Sequence, residues 1–162
     1  MTNKYYIKEG NICEPDLIDG YNFIVHCCND IGVMGAGVAK ALYTKWPAVK
    51  TKYLELFEKE SLKLGDIQLV NVEPKLIIAN MIGQHGIKEN NKDRPPIRYG
   101  SIALAMNKIT RLCHYLANDD CHIHAPKFGS DLAGGKWEII EALIHDLWID
   151  NNIPVTVYEL RN

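Results

Sequence analysis

An α/β fold with helices on both faces of a mixed, largely parallel sheet is predicted for this chain by three observations. Apolar runs of strand length alternate with segments of helical periodicity along most of the sequence. Two strand candidates, Phe23-Ile24-Val25 and His122 to Ala125, lead to glycine-bearing loops, Met34-Gly35-Ala36-Gly37 and Ala125 to Trp137, and a helical pattern follows each loop. Strand, glycine loop and helix in that order form a phosphate-binding arrangement. Glycine lets backbone N–H groups approach an anion, and the helix adds unpaired donors and the positive end of its dipole. The third observation is length: 162 residues suffice for one sizeable core, and residues 1–162 are read as one domain.

Taken in order, Lys4 to Ile7 reads as a strand that ends at the Glu9-Gly10-Asn11 turn, and Pro15, Asp16 and Asp19-Gly20 form a loop before Phe23. After the first glycine loop a helix runs from Val38 to Lys45 and stops at Trp46-Pro47, because proline disfavours helix at the residue before it. Helical spacing resumes over Ala48 to Ser61 and ends at Leu64-Gly65-Asp66. Ile67 to Val72 and Leu76 to Met81 then read as a hairpin around Glu73-Pro74-Lys75. This second strand delivers Gly83-Gln84-His85-Gly86 to its end, before a charged loop from Lys88 to Pro96. A long helix is expected from Ile97, with Ile102, Ala105, Ile109, Leu112, Cys113 and Leu116 on one stripe and a break at Asn118-Asp119-Asp120. Trp137, Ile140, Ile144, Leu147 and Trp148 mark the last helix, to about Asp150, and Val155 to Tyr158 closes the chain as a strand after the Asn151-Asn152 turn. Ligands of such sheets bind beyond the carboxyl ends of the strands, where Asn29, Gln84-His85 and both glycine loops converge.

The residues also carry a family resemblance. His26-Cys27-Cys28-Asn29 with Met34 to Ala39 resembles the Asn-Ala-Ala-Asn and glycine-loop motif of macro domains, which bind ADP-ribose. The run PKFGSDLAGGKW resembles the second loop of the branch containing ADP-ribose-1''-phosphate phosphatases, terminal-ADP-ribose glycohydrolases and phage-encoded relatives. Glu9-Gly10-Asn11-Ile12 and Val157-Tyr158-Glu159-Leu160 extend the resemblance over nearly the whole chain. It implies a three-layer α/β/α macro domain that takes ADP-ribose or a derivative as its small-molecule ligand. Asn11 and Ile12 would meet the adenine, although the family's carboxylate is replaced by an amide at Asn11. Gly35, Ala36, Gly37 and Val38, with Gly129, Ser130, Asp131, Leu132, Ala133 and Gly134, would surround the diphosphate. The activity implied is hydrolysis of ADP-ribose-1''-phosphate to ADP-ribose and phosphate; a non-catalytic binding module, or a glycohydrolase working through a ligand-activated water, stays open beside it.

Asn29, Asp131 and His85 are the catalytic candidates. By the resemblance Asn29 holds the distal ribose; the residues alone allow equally an Asx turn opening the loop. Asp131 stands where the branch usually has glycine, and can orient a water as general base or simply face solvent. His85 follows a strand end between polar and glycine neighbours, whereas His26, inside a strand, reads as a core histidine. In the glycohydrolase subgroup a lysine attacks the ribose and an aspartate assists. Those positions fall near Gln84 and at Ala133, and neither residue can serve.

Composition limits the remaining classes. Hydrophobic residues at 47% and charged residues at 23% exclude a fibrous or disordered chain. A net charge of −2 argues against gripping an extended nucleic acid, while a diphosphate can still be held by backbone N–H groups. MTNKYYIKEG lacks the apolar core of a signal peptide, and no apolar run nears the roughly 18 residues of a membrane span. A cytoplasmic monomer without membrane contact is therefore expected, in the host cytoplasm if the chain is phage-encoded. Five cysteines, an odd number, suit free thiols in a reducing compartment, with Cys27 and Cys28 structural. Cys121, His122 and His124, with Cys113 and His114 upstream, cluster without a CxxC or HxxxH pair, so no metal and no cofactor is expected.

Overall fold

The computed structural model describes residues 4–116 and 120–160. Its elements are β1 (Tyr5–Glu9), β2 (Tyr21–Asn29), α1 (Gly37–Lys45), α2 (Ala48–Glu58), β3 (Ile67–Glu73), β4 (Leu76–Gln84), α3 (Tyr99–Tyr115), β5 (Cys121–Ala125), α4 (Trp137–Leu147) and β6 (Val155–Glu159). The strands form a single sheet in the order β1-β6-β5-β2-β4-β3. Every pairing is parallel except the β3–β4 hairpin. The mixed, largely parallel sheet is therefore the one the sequence predicts.

Alternation along the central strands builds two apolar layers. Phe23, Val25, Ala79, Met81, Ile123 and Val155 face α3 and α4, where Ile102, Ile109, Ile140, Ile144 and Trp148 are buried against them. Ile24, Cys28, Ile78 and Ile82 face the other way, toward Leu42, Val49 and Tyr53 of α1 and α2. Because β2 and β4 are covered on both sides, their sequences are apolar nearly throughout. None of the described helices is long and apolar enough to cross a membrane.

The boundaries differ from the sequence reading in instructive places. Strand β2 continues from Val25 through His26, Cys27 and Cys28 to Asn29. The polar His26 is tolerated there because its Nε2–H donates to the side-chain oxygen of buried Asn80. Burial pushes the Cys27 thiol up to about 12, which keeps it protonated and unreactive. Helix α3 begins at Tyr99, not Ile97, since Ile97 bridges to Gln84 and donates its N–H to the Ala133 carbonyl. Of the expected break after this helix, Asn118 and Asp119 lie outside the described residues. Pairing of β2 with β4 also slips: Cys28 lies opposite Ile82, but Asn29 lies opposite Gln84, leaving Gly83 as the extra residue. A Cβ at Gly83 would stand 2.5 Å from Ile102 Cδ1, so α3 packs directly onto the bulge.

The histidine cluster is held by hydrogen bonds. His122 Nε2 meets Thr156 Oγ1 at 2.7 Å. Tyr158 donates its hydroxyl to His124 Nδ1 at 2.8 Å, and His124 Nε2–H donates to Asn22 Oδ1 at 2.9 Å. Among the described residues no three His, Cys, Asp or Glu side chains are grouped to hold a metal ion.

Burial lowers His26 to about 4 and His124 to about 3, from an ordinary 6.5. Both values lie below that of the unfolded chain, so the unfolded state binds more protons as pH falls, and stability present above 6.5 is lost toward the folded values. Between pH 6.5 and 5 each histidine should remove up to about 1.4 kcal/mol per pH unit. Urea midpoints measured across that window should fall, and the fall should be shallower in His124→Gln, which has one fewer suppressed imidazole.

Candidate functional site

All strands but β3 end at one rim, and the loops leaving it close on themselves. Asn29, the last residue of β2, folds the first loop around its own amide. Its Oδ1 accepts from Ile31 N at 3.1 Å and Val33 N at 3.2 Å, while Nδ2 donates to Val33 O at 2.6 Å. From α2, the Tyr53 hydroxyl lies 2.7 Å from the same Oδ1 and 2.8 Å from the Asn29 carbonyl. The Asx-turn role of Asn29 is thus occupied, with one Nδ2 hydrogen left over. Gly35, Ala36 and Gly37 follow exposed, Val38 is half-buried, and α1 starts with neither a side-chain cap nor an acidic residue in its first turn. Its unpaired N–H groups and dipole offer a positive end to the cleft.

The second loop is a closed ring. Gly135 N donates to Gly129 O at 2.8 Å, Gly134 N to Asp131 O at 2.9 Å, and Ser130 Oγ to Lys127 O at 2.7 Å. Gly129 and Gly134 have φ of +75° and +72°, which glycine alone adopts cheaply. Ala133 is buried at 4% exposure, so it anchors the ring while Leu132, 62% exposed, projects from it. A Cβ built on Gly37, whose φ is +60°, would meet Leu132 Cδ1 at 3.5 Å. The two loops therefore face each other at contact distance.

On the other side of β2 from the second loop, at the end of β4, sits His85. Its ring Nδ1 is 2.8 Å from Asp30 Oδ2, and Asp30 Oδ1 accepts from Gly86 N at 2.7 Å. His85 N donates to Pro96 O at 2.9 Å, and the segment just after Pro96 is tied to the second loop through Ile97 N and Ala133 O at 3.0 Å. Asn91 Nδ2 donates to His85 O, and Arg98 Nη2 to Asn91 Oδ1. Burial, then Arg94, lowers the Arg98 guanidinium from its usual value, and Asp30 opposes them.

The remaining sequence candidates are distributed unevenly. Asn11 is exposed and its Oδ1 accepts from Cys13 N at 2.9 Å, so the amide oxygen expected at adenine is engaged in a turn. Asn11 and Gly37 nevertheless line one open hollow of about 540 Å³, with Lys40, Thr44 and Lys45 across it. The Ile12 side chain, 6% exposed, belongs to the core under α1 and α2. Asp131 is exposed, and no side chain among the described residues holds its carboxylate. Asp30 is the His85 partner that sequence reasoning missed; nothing local announces a contact 55 residues away. Tyr53 lies in the helical segment predicted over Ala48 to Ser61, but the target of its hydroxyl is not legible in sequence.

With this geometry the chain resembles solved structures closely. A protein of unknown function from Bacteroides thetaiotaomicron is 39% identical, with 95% of this chain and 96% of that one covered at a TM-score of 0.88. A macrodomain protein from Streptomyces coelicolor is 34% identical over 96% of this chain and 98% of its own, at a TM-score of 0.81. The chain belongs to the macrodomain family. No protein-family model matches it. Among curated proteins, the Saccharomyces cerevisiae ADP-ribose 1''-phosphate phosphatase is 25% identical across 99% of this macrodomain and all of the yeast chain. The macrodomain spans only 18% of the mouse chromodomain-helicase-DNA-binding protein 1-like and 5% of the Western equine encephalitis virus polyprotein that it also matches.

Loop closure makes a contrast testable in this macrodomain. A Cβ at Gly135 would lie 2.3 Å from the Gly129 carbonyl oxygen, whereas one at Gly35 would meet nothing within 4 Å. Gly135→Ala should cost about 1–3 kcal/mol in urea unfolding and expose the residue-135 amide to hydrogen exchange. Gly35→Ala should stay within about 0.5 kcal/mol of the parent.

Proposed function

We propose that residues 1–162 form one macrodomain that binds ADP-ribose derivatives and hydrolyses ADP-ribose-1''-phosphate to ADP-ribose and phosphate. The observation carrying this reading is the pair of glycine loops that face each other at contact distance, with His85 held by Asp30 at the end of neighbouring β4. Support also comes from the yeast phosphatase, which this chain matches end to end at 25% identity. The first turn of α1 and the second-loop backbone cradle the diphosphate, as neutral N–H donors suit a chain of net charge −2. Adenine lies toward Asn11 and the hollow beside Lys40 and Lys45. The spare Nδ2 hydrogen of Asn29 reaches a distal ribose hydroxyl.

Chemistry then falls to His85 rather than Asp131, because an acid–base group must be held at the reacting centre. The ring is fixed by Asp30, while Asp131 stands exposed on the outer loop. His85 takes a proton from the attacking water, and backbone donors receive the charge that develops on phosphorus oxygens. With Gln84 and Ala133 in the places of the lysine and aspartate, the covalent glycohydrolase route has no nucleophile.

Calorimetry should give ADP-ribose a micromolar or tighter dissociation constant, with AMP weaker by about tenfold or more, since two facing loops match a diphosphate. Gly37→Val, pressing toward Leu132, should weaken ADP-ribose by at least about tenfold without unfolding the chain. Phosphate release from ADP-ribose-1''-phosphate by the parent decides the enzymatic part. Tight binding with no release would leave a non-catalytic ADP-ribose-binding module.

A further inference from the structure

We propose that Asp30 is the positioning residue of an Asp30–His85 pair, fixing the ring so that Nε2 faces the reacting end of the cleft as a proton acceptor; this rests on the hydrolytic reading above. The geometry has three parts. First, Asp30 uses both oxygens, Oδ1 on the Gly86 N–H and Oδ2 on His85 Nδ1. A carboxylate already accepting from a backbone amide is an acceptor toward the ring too, so Nδ1 carries the hydrogen and Nε2 keeps its lone pair.

Second, the two side chains differ in exposure: 16% for Asp30 and 55% for His85. A surface ion pair between two mobile side chains contributes little and leaves both exposed. Here the carboxylate is mostly buried while more than half of the ring stays exposed. Third, the His85 backbone is clamped from two sides, by Pro96 O and by Asn91, which Arg98 braces in turn. The charged groups around the ring are thus Asp30 from the end of β2 and, across the loop before α3, Arg98 with Arg94 beside it. This differs from a surface histidine that happens to meet an acid: the backbone carrying the ring is held on both sides and its Nδ1 has a mostly buried partner.

The step balances without a co-reactant other than water. The water oxygen forms a bond to phosphorus, the bond from phosphorus to the C1'' oxygen breaks, and His85 Nε2 takes the water proton. The departing C1'' oxygen is protonated from solvent, and the imidazolium later returns its proton to solvent. No electrons are transferred, and one water becomes part of the released phosphate.

Asp30→Asn tests the assignment because the amide can keep its bond to Gly86 while presenting Nδ2–H to the ring. The ring must then accept at Nδ1 and carry its hydrogen on Nε2, the wrong nitrogen for a base. Phosphate release from ADP-ribose-1''-phosphate should fall by about 10²-fold or more in kcat, with ADP-ribose affinity held within about threefold. Asp30→Glu should recover part of the rate, and adding Asp30→Asn to His85→Gln should cause no further loss. Nitrogen-15 NMR of His85 in neutral solution gives a readout independent of turnover: hydrogen on Nδ1 in the parent, on Nε2 in Asp30→Asn. Unchanged turnover and tautomer in Asp30→Asn, or losses that multiply in the double variant, would overturn the proposal. If the parent releases no phosphate, the hydrolytic reading fails by itself; the tautomer reversal then upholds Asp30 as the positioning residue, and its absence removes it.

Discussion

A parallel sheet brings its strand ends to one rim, and there the backbone runs out of partners. Each N–H and C=O that the ladder no longer pairs must find a side chain, a loop carbonyl or a ligand. The architecture of this macrodomain's rim follows from that requirement. Asn29 answers for three groups of its own turn, Asp30 for the Gly86 amide, and the Gly129 carbonyl for Gly135. What stays unanswered is the start of α1, and likewise of α3 and α4, where no side chain caps the helix. The donors that remain are gathered at the place where an anion would be useful.

The fold was legible because burial leaves a direct imprint on sequence. Strands β2 and β4 are covered on both faces and read as apolar runs; α3 and α4 are covered on one, and their stripes at Ile102, Ile109, Ile140 and Ile144 show it. Proline at position 47 and the turn at Lys75, with φ of +56°, set boundaries for local reasons that sequence also displays. The glycine loops were legible for the same cause, since positive φ at Gly37, Gly129 and Gly134 requires the residue type seen.

The site was less legible, because its side chains act across distance. Asn11 and Asn29 each had two physical uses, and the sequence cannot say which oxygen is already occupied; both turned out to close local turns. Ile12 and Ala133 sit in motifs that suggested ligand contact, yet both side chains are buried. His124 sits in a cluster of histidines and cysteines whose partners the sequence does not display: Tyr158 and Asn22 come from two other strands. Contacts of this kind are fixed by strand order, which local periodicity does not encode.

The bulge at Gly83 decides on which side the residues that end β4 emerge. A strand repeats every two residues, so one extra residue turns everything after it by half a period, swapping the sides on which the following side chains emerge. In β4 that half-period falls one residue before Gln84 and two before His85, and it is tolerated only because Ile102 of α3 has room above a residue with no side chain. The phase of the strand thus works as a selector: the same sequence of residues after position 83, set without the slip, would offer a different side chain to Asp30. A residue of α3 therefore helps to set which side chain at the end of β4 meets Asp30.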